Sequence, residues 1–206
     1  MAHGRDTGSG QPADLAGYEV LVGVCGGIAA YKVCAVVSGL VQRGAGVTVA
    51  MTEAGTRFVG PATFQALTAR PVFTSLWTAE AFHDPQHIRL TKTADLFVVA
   101  PATANMLGKI ACGIADDLLS TMLMSAGSPV LLAPAMNTRM WENRIVQANV
   151  ARLREYGYEF IEPGTGWLAC RSTGAGRMAE PDAILEAVTR RLAASPPRAR
   201  SAGPNG

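Results

Sequence analysis

The sequence predicts an α/β fold, a Rossmann-like (flavodoxin-like) doubly wound parallel sheet forming a single domain. Two observations carry this. Short, continuous apolar runs recur along the chain, among them Val20-Leu-Val-Gly-Val24, Leu96-Phe-Val-Val-Ala100 and Val130-Leu-Leu-Ala133, as expected of strands covered on both faces. Segments with helical patterning alternate with these runs, which is the order of successive βαβ units.

In chain order, strands are expected near 18–24, 46–51, 95–100, 129–133 and 158–161, with room for a short one at Val72-Phe73. Helices are expected near 28–43, 53–67, 87–93, 103–125, 138–155 and 182–193. The first strand runs into Cys25-Gly26-Gly27-Ile28, where a helix begins. Pro134 cannot donate to a ladder, so the run before it should stop there, and Asn137 or Thr138 is a good N-cap for the next helix. Residues 1–14 and 195–206 are rich in Gly, Pro and Ser and predict tails without fixed structure around a domain at 15–194. No internal repeat and no second domain is visible.

Composition narrows the function classes. Of 206 residues 49% are hydrophobic and 17% charged, enough for a substantial core in one soluble domain. A net charge of +2, with Lys and Arg scattered, makes no case for nucleic acid or an anionic membrane. No apolar run approaches the roughly 18 residues that span a bilayer, and the first twelve residues lack the apolar segment of a secretory signal. Cys25, Cys34, Cys112 and Cys170 are too widely spaced for a Cys-x-x-Cys site. Reduced thiols, no metal and a cytoplasmic location are therefore expected.

Several stretches carry chemistry. A strand, a glycine turn and a helix start at Gly26, Gly27 and Ile28 make an anion site, because the first helical amides are unpaired and the dipole favours negative charge. The same turn also serves as a plain connection. Its spacing is not Gly-x-Gly-x-x-Gly, so a mononucleotide suits it better than a dinucleotide. Thr52, ending the second strand, offers a hydroxyl to a phosphate, and Glu53 keeps a ribose contact open. Asn137 stands where open α/β sheets bind ligands, at the carboxyl end of a strand, with one amide acceptor and two donors. Asp116 and Asp117 read equally well as helix N-terminal charges. His87 precedes a helix and has a near-neutral pKa suited to proton transfer. Residues 163–177 are too long and glycine-rich for a simple connection and read as a binding loop around Cys170.

Taken together, these stretches resemble the flavin-dependent cysteine decarboxylases, the family of phosphopantothenoylcysteine decarboxylase and the lantibiotic peptidyl-cysteine decarboxylases. Pro134-Ala-Met-Asn-Thr-Arg-Met-Trp141 is similar to its substrate motif, Pro-x-Met-Asn-x-x-Met-Trp. Pro101-Ala-Thr-Ala-Asn-Met106 is similar to its flavin motif Pro-Ala-Ser-Ala-Asn-Thr, with Thr103 keeping a hydroxyl and Met106 losing one. Gly26–Lys32 is similar to its phosphate segment, His87-Ile-Arg-Leu90 to its catalytic-histidine segment, and Leu168–Met178 to its substrate flap.

The resemblance implies FMN held by Gly26, Gly27, Ile28, Thr52, Pro101, Ala102, Thr103 and Asn105. It implies substrate at Asn137, with Met136, Met140 and Trp141 packed around it, and His87 and Cys170 as catalytic groups. It further implies a homo-oligomer, a trimer or multiple of trimers such as a dodecamer, and a lyase of coenzyme A biosynthesis. That enzyme oxidises the thiol of 4'-phosphopantothenoylcysteine, loses CO2 and re-reduces the product to 4'-phosphopantetheine, with Cys170 as proton donor. Two rivals share the motifs or the fold. One is a decarboxylase of a peptide C-terminal cysteine that releases an enethiol. The other is a flavin-binding regulatory subunit without catalysis.

Overall fold

The computed structural model describes residues 14–77, 86–169 and 171–198, with the backbone alone at 86–89. The central sheet has six parallel strands: β1 (Glu19–Val24), β2 (Gly46–Met51), β3 (Val72–Phe73), β4 (Leu96–Ala102), β5 (Val130–Pro134) and β6 (Glu159–Phe160). Their order is β3-β2-β1-β4-β5-β6. Of the two doubly wound patterns in the expectation this is the Rossmann order, not 2-1-3-4-5. The chain leaves β1 toward β2 and β3, then returns to lay β4 on the other side of β1. The gap between β1 and β4 is thus the point where the winding reverses.

Alternation along the strands sorts side chains onto two faces. Val20, Val22 and Val24 meet helices α1 (Ala30–Gln42), α3 (Pro61–Thr68) and α9 (Pro181–Ala193) through Val33, Val37, Phe64, Ile184 and Val188. Leu21, Phe97 and Val99 meet α5 (Ala104–Ala111), α6 (Leu118–Met124) and α8 (Arg144–Glu155) through Leu107, Ile110, Leu119 and Leu153. Coverage on both sides is why the strands read as unbroken apolar runs. The remaining helices are α2 (Glu53–Thr56), α4 (Gln86–Thr93) and α7 (Thr138–Trp141).

Three expected helices are broken, each at a local feature. The stretch 103–125 divides because Gly113 sits at φ 71° and Asp117 starts α6 with a capping box: Asp117 Oδ1 accepts from the Ser120 amide at 2.8 Å, and Ser120 Oγ accepts from the Asp117 amide at 3.1 Å. The stretch 138–155 divides because Asn143 Oδ1 accepts from the Ile145 amide at 2.9 Å and begins α8. The stretch 53–67 divides at Gly60-Pro61, with proline in the first turn of α3.

Strand β4 runs past the expected end at Ala100, through a cis Ala100–Pro101 bond to Ala102, with its register against β5 shifting between Val99 and Ala102. Residues 163–177, expected as a loop, form an antiparallel hairpin of β7 (Gly164–Trp167) and β8 (Thr173–Arg177). Gly176 lies at φ +108°, and a Cβ there would come within 2.5 Å of the Met136 carbonyl. The Met136 amide donates to the Gly176 carbonyl at 2.9 Å, seating the hairpin against the segment after β5.

At the end expected to be a tail, Ser195–Arg198 lies against the domain. The Tyr18 hydroxyl donates to the Ser195 carbonyl at 2.9 Å, and the Arg198 amide donates to Asp95 Oδ1 at 2.8 Å. Among the described residues, no helix is long and apolar enough to cross a membrane, and no group of His, Cys, Asp and Glu could hold a metal ion.

Candidate active site

A cavity of about 1100 Å³ opens at the carboxyl ends of β1, β2, β4 and β5, with Trp167, Leu168 and Ala169 of the hairpin contributing to its wall. It lies at the reversal between β1 and β4, where open α/β sheets bind ligands.

Gly26, Gly27 and Ile28 line it, as does Thr52. The two glycines do different work. At Gly26 a Cβ would come within 2.4 Å of the Ala54 side chain, so this glycine allows α2 to close on β1. At Gly27 a Cβ would meet nothing nearer than Thr103 Cγ2 at 3.8 Å. Helix α1 has no side-chain cap at Ala29; the Ala30 and Lys32 amides donate to the Gly27 and Ala29 carbonyls at 2.9 and 3.0 Å, and the remaining first-turn amides with the helix dipole suit an incoming anion. Thr52 caps α2, its Oγ1 accepting from the Gly55 amide at 3.0 Å, and its hydroxyl proton can still be donated.

On the opposite face of the sheet, Thr103 caps α5 by accepting from the Met106 amide at 3.3 Å, and the exposed Asn105 stands on the cavity wall. Pro101 and Ala102 are buried and absent from the lining; Ala102 is a core residue whose carbonyl accepts from the Ala135 amide at 3.0 Å. They shape the wall from behind.

Asn137, Met136 and Met140 also line the cavity. Asn137 is the N-cap of α7: its Oδ1 accepts from the Met140 amide at 2.9 Å, so the outward capacity of the side chain is that of its two N–H donors. Trp141 lies behind these residues, its amide donating to the Asn137 carbonyl at 3.0 Å. It packs on the core layer of α5, α6 and α8 and is not part of the lining. His87 lies in the first turn of α4, and its side chain is outside the described residues, as is Cys170 altogether. The turn around Cys170 is closed by the Leu168 amide donating to the Ser172 carbonyl at 2.8 Å, with Arg171 at φ 61°.

Sequence reading missed Lys109. It sits one helical turn beyond Asn105 on the same face of α5, which was the available signal. Its Nζ donates to Asp116 Oδ1 and Asp117 Oδ2, both at 2.6 Å. Burial opposes the charge on Asp117, but the hydrogen bonds from Lys109 and Ser120 outweigh it and hold the carboxyl below its usual range. For Lys109 likewise, burial is outweighed by the two carboxylates, which raise its pKa. Cys25, also in the lining, is pushed up to about 12 by burial, against hydrogen bonds from Thr103 and with the nearby Asp117 charge adding to the rise. It is a protonated wall residue. Iodoacetamide at about pH 8 is therefore expected to leave Cys25 unlabelled in the native protein and to label it after denaturation. Peptide mapping that finds Cys25 carboxamidomethylated in the native state would contradict this.

A doubly wound sheet with a phosphate-ready helix start and a large apolar cavity at its winding reversal is a nucleotide-cofactor fold. The chain belongs to the Flavoprotein family, whose model matches residues 9–193. The coenzyme A biosynthesis bifunctional protein CoaBC of Bacillus subtilis is 49% identical over 175 residues, covering 85% of this chain and 43% of that protein. Its counterpart in Mycolicibacterium smegmatis is 48% identical over 166 residues, 81% of this chain and 40% of that one. The chain thus spans less than half the length of the curated relatives it matches. Among solved structures, a cysteine-to-serine variant of PPC decarboxylase complexed with pantothenoylaminoethenethiol aligns with a TM-score of 0.76 at 32% identity, over 86% of this chain and 99% of that one. The FMN-dependent cysteine decarboxylase SpaF aligns with a TM-score of 0.73, also at 32% identity, over 87% and 98%.

The residues present fit a flavin. The uncapped helix, open Gly27 and Thr52 suit a phosphate, and Asn105 beside apolar walls suits the polar edge of a flat ring.

Proposed function

We propose that this chain is an FMN-dependent carboxy-lyase that converts 4'-phosphopantothenoylcysteine to 4'-phosphopantetheine in coenzyme A biosynthesis. The observation that carries the reading is the meeting, in one cavity, of a phosphate cradle at α1 and the free amide donors of Asn137. The first suits FMN and the second suits the substrate carboxylate. The bound flavin would accept the electron pair removed from the substrate thiol and return it after CO2 has left.

The protein's own groups have separate tasks. Asn137 orients the carboxylate without adding charge. His87 takes a proton during thiol oxidation, a role that the ordinary near-neutral pKa of histidine suits. Cys170 supplies a proton to the decarboxylated product. Assembly as trimers, or a multiple of trimers, in the cytoplasm belongs to the same reading. Ile28 and Tyr31 at the cavity mouth, 58% and 60% exposed, are apolar surface that a neighbouring subunit would cover.

A second reading, a peptidyl-cysteine decarboxylase, is kept open by the equal 32% identity to the FMN-dependent cysteine decarboxylase SpaF. Purified protein incubated with phosphopantothenoylcysteine is expected to release CO2 and yield the saturated thiol. Turnover of peptides ending in cysteine, with no turnover of phosphopantothenoylcysteine, would select the second reading.

A further inference from the structure

The geometry points to a second anion subsite in the cavity, formed by Lys32 and Arg177 on a shared Glu180, that takes the phosphomonoester of the substrate. The assignment rests on the proposed function and extends it to substrate specificity.

Lys32, in the first turn of α1, donates from Nζ to both Glu180 carboxylate oxygens, at 3.0 and 2.9 Å. Arg177, the last residue of β8, places Nη2 2.7 Å from Glu180 Oε1. Both cations line the cavity, and the carboxylate that tethers them does not. The Lys32 hydrogen bond, aided by the charges of Lys32 and Arg177, holds the Glu180 carboxyl below its usual range. At neutral pH the three groups therefore carry one net positive charge. Lys32 keeps a third N–H and Arg177 most of its fork, the geometry that suits a phosphate.

Space for the guanidinium is built into the hairpin. A Cβ on Gly166 of β7 would lie 3.1 Å from Arg177 Nη1 and 3.4 Å from its Cδ, so glycine leaves room there for the arginine. Across the sheet the charge is reversed, since Lys109 faces two carboxylates and that cluster is net negative. The Glu53–Arg57 pair on the wall is neutral and mostly exposed. Among the described charged groups on the wall, only Lys32 and Arg177 thus offer excess positive charge.

A flavin mononucleotide and a phosphorylated substrate each bring one phosphate. The α1 amides with Thr52 suit the first, and Lys32 with Arg177 suits the second. A peptide ending in cysteine has no group for this subsite.

The test uses Lys32→Met, Arg177→Met and the conservative Arg177→Lys in the FMN-loaded protein. Steady-state kinetics compare phosphopantothenoylcysteine with its dephosphorylated form, and fluorescence titration compares FMN with riboflavin. Each Met variant is expected to lower the ratio of kcat/KM for the phosphorylated over the dephosphorylated substrate by about 10- to 100-fold, the scale of a charged hydrogen bond. The loss should lie in KM, with partial recovery in Arg177→Lys. An unchanged ratio overturns the subsite. So does selective weakening of FMN relative to riboflavin, which assigns the cations to the cofactor's phosphate. If wild type turns over neither substrate, the functional reading fails, and calorimetry with inorganic phosphate on the FMN-loaded protein still decides the subsite. Phosphate binding that is lost in Arg177→Met upholds it, and equal binding or none overturns it.

Discussion

Asn137→Asp is expected to leave the chain folded and the flavin bound while lowering turnover about a thousandfold. The fold survives because the half of Asn137 that builds α7 is its oxygen, which accepts from the Met140 amide at 2.9 Å. Aspartate caps a helix as well as asparagine does. What changes is the other half of the side chain, where two N–H donors give way to a share of a full negative charge. Against a substrate carboxylate at about 4 Å, an effective dielectric near 20 makes the repulsion about 4 kcal/mol, or about three powers of ten. Asn137→Ala separates the two roles. It gives up the cap, at about 1 kcal/mol, and the donors, but adds no repulsion, so it should melt earlier than the Asp variant yet turn over faster. CO2 release, flavin absorbance and thermal melting on the same preparations read all three effects. An Asp variant that turns over at the wild-type rate would remove Asn137 from the substrate site. An Asp variant that loses its flavin would make the residue structural.

How much of this was legible beforehand depended on whether the cause was local. The strands, their parallel order and the position of the cavity follow from apolar runs that end in Gly26-Gly27, Thr52 or Pro134. These are signals within a few residues of what they control. The cap at Asn137 was legible for the same reason. The breaks at Gly113 and Asn143 were not, because a helical apolar pattern continues through both, and only the backbone angle or the cap shows the interruption. Pro101 looked like a strand end, yet β4 absorbs it where its register shifts.

The glycines show the limit most clearly. Gly26 and Gly27 are identical as letters, but Gly26 is required by Ala54, which packs on it from a different part of the chain, and Gly27 faces the cavity. Lys109 was in view as sequence without a role, and Lys32 and Arg177 only as members of the phosphate segment and the substrate flap. Each acquires one from a carboxylate brought to it by the fold, seven or eight residues away for Lys109 and in another element for Lys32.

Cys170→Ser is expected to change which product leaves, and this separates the two enzymatic readings. Decarboxylation of the oxidised substrate leaves an enethiolate. To become a saturated thiol it must gain two electrons and two protons: the reduced cofactor would supply the electrons together with one proton, and the other proton must be delivered to carbon by a nearby group. The hairpin stretch 164–177 contains one thiol, Cys170, whose ordinary pKa of about 8.5 lets it give up a proton near neutrality. The other groups close to this step are less suited. Cys25 is pushed up to about 12, and Asp117 is held ionised by Lys109 and Ser120, so neither has a proton to offer at the right strength. A serine hydroxyl at position 170 is far weaker as an acid, so oxidation and CO2 loss should proceed while reduction stalls. Mass spectrometry of the product should then show the enethiol, lighter than the thiol by one hydrogen molecule, accumulating in Cys170→Ser where wild type gives the saturated thiol. If wild type already releases the enethiol, the peptidyl reading stands and the substitution should change little. If both proteins give the saturated thiol equally fast, the proton comes from elsewhere and Cys170 serves the hairpin alone.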